Sequence, residues 1–115
     1  MSYAFNSALS ALGAFFRKMD VTANNIANVN TNNFKKSRTE MEDVYPSGVK
    51  VSISRVDTPG DLLPPDEQSQ NQESSNVNLA EELVDLITTE HAVSANITTI
   101  RTKDEMEKQL IDIIA

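Results

Sequence analysis

A chain of 115 residues with a net charge of −7 and no cysteine provides material for one small domain, and this composition excludes several functions. Acidic side chains outnumber basic ones by 17 to 10, which argues against nucleic acid as the main partner because phosphate binding needs clustered Lys and Arg. Without cysteine, the sequence has no disulfide, thiol nucleophile or thiolate metal ligand. No apolar run approaches the length of a membrane span, and we expect no cleaved secretory signal.

Residues 1–33 are predicted to form an N-terminal helix with an asparagine-rich end. Apolar residues separated alternately by four and three positions form a heptad stripe along it. This stripe consists of Phe5, Leu9, Leu12, Phe16, Met19, Ala23 and Ile26. Gly13 lies within the helix at a cost of about 1 kcal/mol relative to alanine, which is tolerable if a neighbouring backbone comes close. The run 28–33 should end the helix, because asparagine is a weak helix former that accepts left-handed backbone angles.

Residues 34–56 are predicted to be extended, with a β-hairpin over roughly 38–56. A turn signal over 46–48 precedes an alternation of apolar and polar residues that is typical of a half-buried strand. Residues 57–76 are rich in Pro, Ser, Asn and Gln, and we predict a flexible connection there because they contain little that packs.

Residues 77–115 are predicted to form the C-terminal helix. Asn78 and Glu81 make a capping-box pattern at its start, and a second heptad stripe follows whose phase shifts near Asp104. The members of this stripe assigned to packing are Leu83, Leu86, Val93, Ile97, Ile100, Met106, Leu110 and Ile113. The two stripes predict packing between the helices of one chain or between subunits.

The predicted fold class is mainly α: two amphipathic helices in an antiparallel coiled-coil pair, with a short β-hairpin and a flexible loop between them. One such pair is expected to be marginally stable, since apolar burial in so short a chain only about balances the conformational entropy lost on folding. Further copies would add the missing packing. Residues 1–56 carry seven basic and four acidic side chains, and residues 57–115 carry three and thirteen. These halves could attract each other within or between chains, or the charge could serve only solubility.

The sequence contains no recognisable catalytic constellation, and we expect no enzymatic activity, cofactor, metal or small-molecule substrate. His91 is the single histidine, and no cysteine or second histidine exists to complete a transition-metal site. The three glycines are isolated, so there is no phosphate-binding loop. Glu81 and Glu82 are interpreted as a solvated helix face.

Residues 20–31, DVTANNIANVNT, closely resemble the N-terminal signature of flagellar axial proteins, the rod and hook family, which contains an "ANNIAN-x-NT" run. The positions that carry this motif are Ala23, Asn24, Asn25, Ile26, Ala27, Asn28, Asn30 and Thr31. Residues 32–38 resemble the "GFK-R" continuation of distal-rod and hook-type members, with Asn33 where glycine is common. Residues 76–87 resemble the start of the C-terminal helix in proximal-rod (FlgC-type) proteins, and 91–97 and 103–106 match its later segments, with His91 and Val93 in place of arginine and tyrosine.

The resemblance implies a structural subunit of the bacterial flagellar basal-body rod, closest to a small proximal-rod type, that polymerises through its paired terminal helices into a helical torque-transmitting shaft. It also implies that the partners are the chain itself, other rod and axial proteins, and the flagellar type III export apparatus. The expected location is the periplasm-spanning rod, reached without a cleaved signal peptide. We hypothesise that Asn24, Asn25, Asn28 and Asn30 fix the register between adjacent helices. The alternatives are a hook-type or distal-rod axial protein and, in a different class, a cytoplasmic coiled-coil secretion chaperone or regulator.

Overall fold

The computed structural model describes residues 2–65 and 72–114 and shows two long helices with a β-hairpin between them in the chain. The elements in order are α1 (Ser2–Ala27), β1 (Ser37–Asp43), β2 (Val49–Arg55) and α2 (Leu79–Ile114). The molecule measures 78 × 25 × 17 Å, and α2, with 36 residues, spans about 54 Å. The mainly helical fold with an intervening hairpin is confirmed.

α1 and α2 lie side by side and run in opposite directions. Near the start of α1, the Phe5 ring lies under the Lys103 ammonium, with 4.3 Å between the Nζ atom and the ring centroid. Near the end of α1, Thr22 and Asn25 line the same cavity as Glu82. The first turns of α1 therefore meet the C-terminal part of α2, which is the antiparallel arrangement predicted for the pair.

Asparagine side chains end α1 and start α2. α1 stops at Ala27, where the Asn28 side-chain Nδ2 donates to the backbone oxygen of Asn24 at 2.9 Å. Further along the run, Asn33 has a φ of 62°, the left-handed conformation that asparagine tolerates. At the start of α2, the Asn78 Oδ1 accepts hydrogen bonds from the backbone N–H groups of the second and third following residues, at 3.1 and 3.4 Å. Asn78 is therefore the N-cap that the sequence predicts.

The hairpin packs against α1. β1 and β2 pair antiparallel, with Thr39 opposite Ile53 and Met41 opposite Val51. Half-buried Thr39, Met41 and Val51 alternate with exposed neighbours, which is the pattern of a strand that covers a helix with one face. Both strands contact α1, and neither contacts α2 in the part of the chain that the structure describes.

The connection predicted over 57–76 is tied back to the chain before β1. The Asn33 backbone N–H donates to the Glu73 backbone oxygen at 2.8 Å, and the Glu73 N–H donates to the Asn33 Oδ1 at 3.1 Å. The Lys36 N–H donates to the Asn76 Oδ1 at 2.7 Å. The centre of the connection lies outside the described residues, so its flexibility stays a prediction. Backbone and polar side-chain hydrogen bonds therefore hold the end of the connection beside residues 33–36.

The apolar core is thin. Within the described segments, the buried apolar residues are Ala8, Ala14 and Val93, and the buried polar residues are Thr22, Asn25, Glu82 and Thr89. Small buried side chains allow the helices to approach closely, but they remove little apolar surface from water. The fold therefore depends strongly on buried polar contacts.

Candidate assembly surfaces and hairpin anchors

Asn25 attaches the start of the hairpin to α1. Its side-chain Nδ2 donates to the backbone oxygen of Ser37 at 2.9 Å, and its Oδ1 accepts from the Ser37 N–H at 3.1 Å. The residue is 1% exposed. The Asn25 amide thus pairs with both backbone groups of Ser37, as a neighbouring strand would.

Ser10 attaches the other end of the hairpin. Its hydroxyl donates to the backbone oxygen of Val49 at 2.9 Å and accepts from the Val49 N–H at 2.8 Å. Asn25 and Ser10 lie fifteen residues apart on α1, which is about 22 Å along the helix. β1 has seven residues and spans about 20 Å. The two anchors therefore match the length of the hairpin and hold it parallel to the helix axis.

The structure shows what the motif asparagines contact within one chain. The Asn25 side chain binds the backbone of Ser37 in β1. Asn28 bonds within its own turn, where the Thr31 hydroxyl donates to the Asn28 Oδ1 at 3.0 Å. Asn24 and Asn30 are exposed. The hypothesis that these four residues fix the register between adjacent helices remains a proposal.

Glu82 is buried where α1, α2 and the residues before β1 meet. It is 7% exposed, and it lines a polar cavity of about 220 Å³ together with Lys18, Asn25, Arg38 and Asp85. Burial raises the pKa of the Glu82 carboxyl above its ordinary value, and the neighbouring Asn25 amide opposes this by a smaller amount. The interpretation of Glu82 as part of a solvated face is wrong. Its spacing of seven from Thr89 places it on the packed face of α2.

We predict that Glu82→Gln stabilises the fold at neutral pH. Because the folded pKa is raised, the folded state holds the Glu82 proton more tightly than the unfolded chain. The free energy of unfolding of the native chain therefore falls as the pH rises from the unfolded pKa through the folded one. Above that window a buried charge remains, and glutamine removes it. Urea unfolding of both chains between pH 4 and 8 should show a stability advantage of the Glu82→Gln variant that grows with pH, and a constant difference would contradict the prediction.

Each predicted heptad stripe divides into an inner and an outer half. On α1, the members that are half-buried are Phe5, Leu12, Met19 and Ile26, and those that are exposed are Leu9, Phe16 and Ala23. On α2, Val93 is buried and Leu86 and Ile100 are half-buried, whereas Leu83 and Ile97 are exposed. On α1, and on α2 as far as Ile100, alternate positions of the stripe therefore stay open to solvent, because a single helix pair covers only one side of a wide apolar face.

The C-terminal end of α2 extends past α1. Residues 104–114 are all exposed, and Lys103 is already level with Phe5 near the start of α1. Met106 still lines a cavity with Phe5 and Ala8 of α1, and the apolar side chains beyond it are Leu110, Ile111, Ile113 and Ile114. The shift of heptad phase predicted near Asp104 thus lies close to the level at which α1 begins.

Two residues that anchor the fold were not identified from the sequence. Ser10 lies among other polar residues of α1, and no sequence signal distinguishes it from a solvated serine. Glu82 has a usable signal, because it falls in phase with Leu86 and Val93 on the stripe that α1 covers. His91 is exposed on α2. Residues 2–65 and 72–114 contain no group of three or more His, Cys, Asp or Glu side chains that could hold a metal ion.

These features define a class of protein: an elongated structural chain with a thin core and large apolar surfaces along its helices. Over their described residues, the two helices are also too polar for a membrane span. Residues 5–35 match the family model for the flagella basal body rod protein, and residues 68–113 match the model for the flagellar basal body rod FlgEFG protein C-terminal region. No curated protein gave a match.

The chain therefore belongs to the flagellar basal-body rod and axial protein family. Proteins of this family are structural, so the chain is not an enzyme, and its place is the flagellar basal body. The rod and axial resemblance seen in the sequence is confirmed. The finer FlgC-type assignment is not confirmed, since neither matched description names that type.

Proposed function

We propose that this chain is a subunit of the flagellar rod that polymerises through its paired terminal helices into a helical, torque-transmitting shaft. The observation that carries the proposal is the outer half of each heptad stripe. Leu9 and Phe16 on α1, and Leu83 and Ile97 on α2, are each more than two-fifths exposed although they continue a regular packing pattern. Helices from further subunits would cover these positions and supply the packing that a single pair lacks.

The shape of the chain suits an open assembly. The overhang at residues 104–114 lies at one end of the long axis, and exposed Leu79 and Val84 lie toward the other end. Contacts between different surfaces of identical subunits generate an open helix when the rotation does not close a ring. A tube built in this way transmits torque along its axis through many repeated helix contacts.

The proximal position in the rod rests on the short middle of the chain. Between the two helices, the structure describes only a two-stranded hairpin and the two ends of a connection, so the subunit has almost no outer domain. A second candidate, a hook-type or distal-rod axial protein, is favoured by the C-terminal match, whose description names FlgEFG.

Mass spectrometry of purified hook–basal bodies tests the rod assignment directly. The chain should co-purify with the basal body at a fixed ratio to the other rod components, and it should be depleted from the cytoplasmic fraction. Presence in the cytoplasm together with absence from basal bodies would support a secretion chaperone or regulator instead. A strain that lacks the type III export apparatus should retain the chain inside the cell.

Arrested intermediates separate a rod subunit from a hook-type protein. Basal bodies isolated from cells blocked before hook assembly should contain the chain if it is a rod subunit. Its appearance only after the hook is added would support the hook-type alternative. The same preparations provide an internal control, because membrane-ring components must be present in both.

A further inference from the structure

Gly13 has no partner in its own chain. It lies in the middle of α1 and is exposed, and a Cβ atom built on it would meet no heavy atom within 4 Å. A glycine in a helix interior costs about 1 kcal/mol relative to alanine. By the sequence alone, this cost is tolerable if a neighbouring backbone comes close, and none of the described residues of this chain does so. The packing of this chain alone therefore gives no reason for glycine here.

Gly13 lies between two apolar side chains on the outer half of the α1 stripe. Leu9, one turn before it, is 45% exposed, and Phe16, one turn after it, is 48% exposed. The missing side chain leaves a hollow between them, which we call the Gly13 hollow. A hollow of this kind on a helix accepts a side chain from a facing helix and allows the two backbones to approach closely.

Charge indicates which helix fits the Gly13 hollow. The charged residues of α1 are Arg17, Lys18 and Asp20, which sum to +1. α2 carries eight acidic and three basic side chains, a net charge of −5. Contact between α2 helices of different copies would therefore be repulsive, whereas contact of α1 with α2 brings opposite charges together.

α2 also presents an exposed stripe suited to this contact. Its apolar members are Leu83, Ile87 and Ile97, which are exposed on a side of the helix different from the one that faces α1. Glu90 lies at the middle of this stripe and is also exposed, and Arg17 is exposed immediately after Phe16. The stripe therefore offers apolar side chains for the hollow and a carboxylate for the adjacent guanidinium.

We propose, building on the polymerisation described above, that the Gly13 hollow of one copy packs against the exposed Leu83–Ile97 stripe on α2 of a second copy, with Gly13 at the point of closest approach. This contact joins different surfaces of the two copies, so it propagates along an assembly. It leaves the α1–α2 pair within each chain intact.

Gly13→Ala separates this role from a role in the fold. Within the chain the added methyl group meets open space and raises helix propensity, so the thermal unfolding midpoint should rise. At a close contact between copies the same methyl group prevents the approach, and self-association measured by sedimentation velocity should weaken by about tenfold. Gly13→Leu should abolish it.

Thr88→Ala is the matched control. Thr88 is exposed and lies about 160° around α2 from Glu90, so it faces away from the proposed contact. Its replacement also raises helix propensity and should raise the unfolding midpoint while leaving self-association unchanged. Association of Gly13→Ala that equals that of the native chain would overturn the proposal.

Cysteine cross-linking identifies the occupant, and the absence of native cysteine makes it specific. Phe16→Cys and Glu90→Cys chains are mixed and oxidised, so that a bond between positions 16 and 90 can form only between copies. This mixed dimer should exceed the dimers of either variant alone. Predominance of the single-variant dimers, or no cross-link in assembling samples, would refute the contact. Recovery of the chain in basal bodies despite that result would leave the rod function standing.

Discussion

Asn25→Ala is expected to remove about 3 kcal/mol from the free energy of unfolding and to release the hairpin from α1. The Asn25 amide makes two hydrogen bonds to the backbone of Ser37, and alanine leaves both Ser37 groups without that partner. Each buried polar group that loses its partner costs about 1–3 kcal/mol. For a chain with so thin an apolar core, a loss of this size should abolish most of the cooperative transition. Urea unfolding, monitored by circular dichroism, measures the loss of stability. Hydrogen exchange of the Ser37 amide measures the release of the hairpin.

Asn24→Ala is the control for this variant. Asn24 belongs to the same motif and the same helix turn, but its side chain is exposed. Among the described residues, its side chain takes part in one hydrogen bond, a long one of 3.3 Å from the Asn28 Nδ2 to its Oδ1. Its replacement should change the free energy of unfolding by less than about 0.5 kcal/mol. Equal effects of the two replacements would show that Asn25 is not an anchor.

Val93→Asp should lower the free energy of unfolding by about 3–5 kcal/mol, because it places a carboxylate on the face of α2 that α1 covers. Val93 is one of the few buried apolar residues among those that the structure describes. The variant loses the transfer free energy of the valine side chain and also buries a charge without a partner. We expect loss of helicity in the far-ultraviolet circular dichroism spectrum and loss of the thermal transition, both measured on the purified chain at neutral pH.

Ile87→Asp tests whether burial causes that loss. It introduces the same carboxylate six residues earlier in α2, where the native side chain is more than half exposed. The fold should tolerate this change with about 1 kcal/mol or less of destabilisation, while self-association should weaken because Ile87 lies on the stripe proposed to contact a second copy. Unfolding of this variant comparable to that of Val93→Asp would contradict the division of α2 into inner and outer faces.

Local residue patterns were sufficient to predict the elements of this fold. Heptad spacing predicted both helices, the asparagine run predicted the end of α1, and Asn78 predicted the N-cap of α2, because all three depend on residues within one or two turns. The alternation after the turn at 46–48 predicted the second strand for the same reason. The family motif at 23–31 was likewise readable without coordinates.

The anchors could not be predicted, because they join residues distant in sequence. Ser10 meets Val49 across 39 positions, and Asn76 meets Lys36 across 40. A serine or asparagine bound to a distant backbone has the same local sequence as a solvated one. Sequence reasoning therefore gave no role to Ser10 and considered the connection before α2 to have little to pack.

The sequence by itself determined two amphipathic helices, a hairpin and membership of the axial family, since periodicity, capping and motif are properties of neighbouring residues. Only the tertiary structure decided which half of each heptad stripe is buried and which is open, because that depends on how each helix is rotated against its partner. The apolar spacing from Leu9 to Phe16 is the same in the sequence whether these side chains are buried or exposed. In this structure Leu12 is half-buried while Leu9 and Phe16 are exposed, and α1 packs against both α2 and the hairpin.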